Sequence, residues 1–110
     1  MNILNILSVP DPLAEYLKTY CNVNAMEMVA MLREDLQTGA IKQEDAEMFQ
    51  QQLAIAIVKE RMTPTQYQQL TGDNEYNTID ELNVWLRELW VVLYGEQLQP
   101  EDVAKTINQA

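Results

Sequence analysis

Apolar positions recur at three- and four-residue spacing through nearly the whole chain, and the pattern is densest between Thr78 and Gly95. Ile79, Leu82, Leu86, Leu89 and Leu93 fall on one face of a helix. Trp85 and Val92 widen that face, while Trp90, Val91 and Tyr94 lie outside it. The first two turns are therefore amphipathic and the last two are apolar nearly all round. Such a helix is either enclosed by its own fold or left with a side that takes a partner. Thr78 followed by Glu81 forms a capping box, and Gly95 supplies a left-handed residue to end the helix. The pattern predicts a central helix over 79–94.

The same logic sets out the other elements. Residues 1–10 carry Ile3, Leu4, Ile6, Leu7 and Val9 and read as an N-terminal arm docked on the body, or as an arm that pairs two copies. Asp11 as cap and Pro12 at the first helical position start a helix that stops near Asn22, with Leu13, Tyr16, Leu17 and Tyr20 inward. Asn24 with Glu27 opens the next, which Gly39 ends; Val29, Leu32 and Leu36 make its stripe and Met26, Met28 and Met31 flank it. Ile41 staples a longer helix over 43–61 whose acidic first turn and basic end suit the helix dipole. Its core face is Phe49, Leu53, Ala56 and Ile57, and it is expected to pack on the Trp85 helix. Thr63-Pro64-Thr65-Gln66 starts a short helix that Gly72 ends, with Tyr67 and Leu70 inward. Pro100 starts a last one, with Val103, Ala104 and Ile107 inward and a frayed end from Asn108 to Ala110. The expected fold is all-α: about six helices in one compact domain, 1–110, bundled around the 79–94 helix.

Composition narrows the function. Among 110 residues, 47% are apolar, enough for a core, and 3 Gly with 4 Pro argue against a loop-rich chain. Seventeen acidic against 7 basic residues give a net charge of −10. Such a surface repels nucleic-acid phosphates and anionic membrane alike, and it attracts a basic protein. There is no histidine to serve as base or metal ligand, and the one cysteine, Cys21, has no internal disulfide partner. A single thiol fits a reducing compartment. The first apolar run has no Lys or Arg before Lys18 and is broken by Asn5, unlike a secretory leader. A cytoplasmic location is expected.

No catalytic, cofactor or metal signature emerges. Aligned as a calcium loop, residues 72–83 put Gly72 at the first ligand position, Tyr76 at the fifth and Asn83 where a bidentate Glu is needed, so the carboxylates that calcium requires are missing. The carboxylate pairs Glu44 with Glu47 and Asp80 with Glu81 sit in first helical turns, where the dipole accounts for them. Acidic rows along the helices could instead imitate nucleic-acid phosphates: Glu27, Glu34 and Asp35; Glu44, Asp45 and Glu47; Asp73, Glu75, Asp80 and Glu81.

The phrase from Val58 to Gly72, VKERMTPTQYQQLTG, resembles a helix–turn–helix phrase of small phage tail-region proteins of the XkdX kind. A helix end, a hydrophobic–Thr pair and a second helix with an aromatic and a terminal Thr-Gly carry the resemblance. It covers that phrase alone, and Arg61 stands where the family has Gly. It implies a phage or mobile-element origin.

These readings converge on a small acidic protein that works by binding and not by catalysis. The leading expectation is an inhibitor of a basic, nucleic-acid-processing partner, either a phage-encoded anti-host inhibitor or an immunity protein against a nuclease toxin. The expected contact residues are Asp73, Glu75, Tyr76, Asp80 and Glu81, with Trp90 and Tyr94 as anchors. The alternative is a phage or bacterial assembly protein, a helical homo-oligomer that uses Trp90, Val91 and Tyr94 as its self-interface.

Overall fold

The computed structural model describes residues 9–25 and 27–108. The arm residues Ile3, Leu4, Ile6 and Leu7, the flanking Met26, and the frayed end at Gln109 and Ala110 lie outside the described residues. Six α-helices and no strand occur among the described residues: α1 Leu13–Tyr20, α2 Met28–Thr38, α3 Gln43–Val58, α4 Pro64–Thr71, α5 Ile79–Tyr94 and α6 Pro100–Asn108. The fold is all-α, and no described helix is long and apolar enough to cross a membrane.

The core is shared between α3 and α5. Phe49, Leu53, Ala54, Ala56 and Ile57 are buried on one, and Leu82, Leu86, Leu89, Trp90 and Leu93 on the other. Leu13, Leu17, Leu32 and Tyr67 close the remaining sides. α3 touches α5 as expected, but it runs closest to α6, and α2 also packs on α5. Each fully buried leucine contributes about 1.5–3 kcal/mol, against about 1 kcal/mol for a good cap. Packing therefore dominates stability, and the caps set where the helices begin. Asn83 ties the two main helices together by donating from Nδ2 to the Ile57 carbonyl at 2.9 Å.

Two caps form as the spacing predicts. Thr63 and Gln66 make a full capping box on α4, and Thr78 and Glu81 make one on α5. Two others do not. Pro12, not Asp11, occupies the N-cap of α1 and makes no side-chain bond. Gln52 on α3 does that work from across the fold: its Oε1 accepts from Leu13 N at 3.0 Å and its Nε2 donates to the Asp11 carbonyl at 2.8 Å. Asn24 does not cap α2 either. It lies in a 3₁₀ turn, Val23–Ala25, where its own N–H donates to Asn22 Oδ1 at 2.9 Å. α2 then begins with Glu27 as an N-cap that makes no side-chain bond.

The C-terminal ends of α3 and α5 also depart from expectation. α3 stops at Val58, short of Arg61. Arg61 N donates to the Ala56 carbonyl at 3.0 Å and Glu60 N to the Ile57 carbonyl at 3.4 Å, the Schellman pattern. The left-handed residue in it is Glu60, with φ 51°, at a position where glycine is usual. Gly95 ends α5 at φ 85° and ψ −178°, which is not the left-handed helical conformation but an extended one of opposite hand, open essentially to glycine alone. The chain therefore turns back over α5, and the Trp90 indole N–H donates to the Leu98 carbonyl at 2.7 Å. This accounts for the burial of Trp90 to 1% exposure although the apolar stripe leaves it out. Val92, counted with the stripe, is 44% exposed instead.

The two ends predict opposite effects. Glu60→Gly should raise stability by about 0.5–1 kcal/mol by relieving the left-handed strain. Gly95→Ala should lower it by about 1–3 kcal/mol. Denaturant melts of both variants, read as midpoint at constant slope, check the signs.

Candidate functional site

The loop between α4 and α5 is built outward from a buried polar step. Thr71 Oγ1 donates to the Tyr67 carbonyl at 2.8 Å and accepts from Asp73 N at 3.1 Å. Asp73 Oδ1 then accepts from Glu75 N at 3.0 Å, which turns the chain. Both Thr71 and Asp73 are buried. At the far end Glu81 Oε1 accepts from Asn77 N at 2.8 Å and Thr78 N at 3.2 Å, which delivers the loop into the α5 cap.

The loop lays Tyr76 against the body. Its ring meets Tyr67 edge-on, with centroids 5.8 Å apart and planes at 74°. The Tyr67 hydroxyl in turn accepts from Trp85 Nε1 at 2.6 Å. Three aromatic side chains from α4, the loop and α5 thus form one connected wall. The acidic groups that act on the Tyr76 phenol are Asp73, Glu75 and Glu88. Burial, then these three carboxylates, pushes it up to about 12. From Met62 to Leu86 the sequence contains no Lys or Arg. The nearby Arg87 pairs with Glu101 on α6. The arrangement is an anionic surface with a half-buried tyrosine at its centre.

The residues singled out by sequence divide between two places. Asp73, Glu75 and Tyr76 come together, and Glu88 joins them. Sequence reasoning passed over Glu88, although it follows Glu81 by seven residues and so shares its helical face. Asp80 and Glu81 lie exposed in the first turn of α5. Trp90 and Tyr94 stand near the other end of the helix, about 15–21 Å along the axis from Asp80 at 1.5 Å per residue. Trp90 presents no surface. Tyr94 is half-buried, its ring 4.6 Å from that of Trp90, and it lines a crevice of about 390 Å³ with Leu36, Ile41 and Ala46. Burial raises its phenol, whose oxygen is buried and has no hydrogen-bond partner among the described residues.

The other acidic rows have partly structural roles. Asp35 accepts from the Tyr20 hydroxyl at 2.8 Å, and burial together with that bond raises the phenol to about 12. No group of three His, Cys, Asp or Glu side chains positioned to hold a metal ion occurs among the described residues. Cys21 is fully buried, and burial pushes its thiol up from 9.0 to about 12. No protein-family model, curated protein or solved structure matches this chain.

Cys21, Tyr20 and Tyr76 all have folded-state values raised above their ordinary 9.0 or 10.0. Their neutral forms favour the folded state. That contribution is complete below about pH 9 and is lost as pH rises through 12. The thermal midpoint should therefore be flat across neutral pH and fall between pH 9 and 12. At pH 8 a thiol reagent should modify Cys21 only at the rate of unfolding, and fast labelling of the native protein would contradict the burial.

Proposed function

We propose that this protein acts by binding: it is a small acidic inhibitor of a basic partner, with nucleic-acid-processing enzymes as the partner class. The observation that carries the reading is the anionic surface around Tyr76. Asp73, Glu75 and Glu88 converge there on an aromatic wall, with no cation between Met62 and Leu86. A cationic active-site groove is its natural complement. Charges of one sign speed encounter and reject anionic competitors, and a tyrosine within such a surface supplies area at low entropic cost. The resemblance of Val58–Gly72 to phage tail-region proteins adds a phage or mobile-element origin to the proposal, and both an anti-host inhibitor and an immunity protein against a nuclease suit it.

A test must separate binding from folding. Asp73 is 8% exposed and its carboxylate holds the loop, so reversing its charge would unfold the site as well as recharge it. Glu75 and Glu88 are exposed. With the protein immobilised at low salt and host lysate passed over it, one basic nuclease or nucleic-acid enzyme should be retained and released by a salt gradient. Glu75→Lys with Glu88→Lys should then slow association with that enzyme by about tenfold or more at low ionic strength. The difference should shrink above about 0.15 M salt, where the screening length is about 8 Å. Stability should stay within about 0.5 kcal/mol of the parent. Unchanged association rates would remove the Tyr76 surface from the account.

A second reading, self-assembly, draws on the outer face of α5. Val84, Val91 and Val92 are 61%, 41% and 44% exposed there. Light scattering discriminates: a salt-insensitive oligomer that Val84→Lys with Val91→Lys returns to monomer favours assembly, and a monomer at all concentrations favours inhibition.

A further inference from the structure

A groove of about 1200 Å³ lies between α1, α3 and α4 and reaches Ile107 on α6. Leu13, Met48, Ile55, Met62 and Leu70 are among its apolar lining. Among its described lining residues Arg61 is the one ionisable side chain, and none is a carboxylate. In a chain with 17 acidic residues, so large a lining without one suits an uncharged, apolar occupant. Gln51 and Gln69 stand exposed along it, and each carboxamide offers a donor and an acceptor to a peptide backbone.

Val9 and Pro10 are part of that lining. Val9 packs against the core, and the Pro10 carbonyl accepts from Ala14 N at 2.8 Å at the head of α1. Val9, the first described residue, therefore stands at the groove itself. Residues 1–8 contain Ile3, Leu4, Ile6 and Leu7 and no Asp, Glu, Lys or Arg. Eight extended residues reach at most about 26–29 Å, and the molecule measures 36 × 33 × 28 Å. A segment of that reach, attached at Val9, can cover a distance comparable to the molecule's shortest dimension. A short tether also gives it an effective concentration in the millimolar range there, above that of a second copy in dilute solution.

We propose that this groove is the docking site of the chain's own N-terminal segment, residues 1–8, in the same molecule. The groove's size, the lack of carboxylates among its described lining residues and its continuity with Val9 all favour this occupant.

A nitroxide on Asn5→Cys in the full chain tests it, since buried Cys21 is shielded from the label. Methyl signals of Met48, Ile55, Met62 and Ile107 should broaden strongly in the labelled molecule. They should stay sharp in an isotope-labelled copy without the nitroxide mixed with nitroxide-bearing, isotope-silent protein. Broadening that appears in the mixed sample as well would assign the groove to the arm of a second copy and overturn the proposal. Sharp groove methyls in both samples would overturn it too. Leu4→Asp with Leu7→Asp gives an independent reading without a label: the same methyls should shift and the thermal midpoint should fall, and unchanged spectra would again overturn it.

Discussion

A buried indole must find an acceptor for its N–H, and here that requirement shapes the second half of the molecule. Trp90 lies almost wholly inside, and its partner is the carbonyl of Leu98, beyond the end of its own helix. Reaching that position requires the chain to reverse at once, and Gly95 allows it with a backbone conformation that a side chain would forbid. The reversal also fixes where Pro100 can begin α6, which then lies along α3. The hydrogen bond, the glycine and the last helix form one unit. Without the first, a buried donor would be left unpaired at a cost of about 1–3 kcal/mol.

The acidic residues do not act alike. Some are fastened into the fold: Asp73 turns the loop, Glu81 closes the α5 cap, and Asp35 receives Tyr20. Others, Glu75 and Glu88 among them, are exposed and near Tyr76. They are free to meet a cationic surface, which the residues fastened into the fold are not.

Helix number and type were legible because caps, glycines and 3.6-residue periodicity are local. Thr78 with Glu81 and Thr63 with Gln66 are read correctly from spacing alone. The packing of α3 on α5 was expected and is present, but the specific side-chain contacts between distant residues escaped. Gln52 caps α1 across 39 positions, and nothing within the triplet Gln50 to Gln52 announces it. Trp90 is buried by a segment that follows its helix, so its place outside the stripe misleads. Glu60 adopts a left-handed conformation that its residue type does not favour, where glycine would have marked the helix end. Around the acidic loop, Asp73, Glu75 and Tyr76 were visible as neighbours in sequence. Glu88 joins them only through the geometry of α5, and Trp90 and Tyr94 lie well along that helix from its acidic first turn.

The two tryptophans have been given unlike surroundings, which makes the protein its own optical instrument. Trp90 is sealed from solvent and bonded to a backbone carbonyl, so its emission should follow only the integrity of the fold. Trp85 is half-buried and bonded to Tyr67, whose ring carries Tyr76 at the anionic surface. Whatever presses on Tyr76 is two contacts from an indole. A single-tryptophan form that keeps Trp85 would signal an encounter at that face with no dye attached, and one that keeps Trp90 would serve as the internal blank.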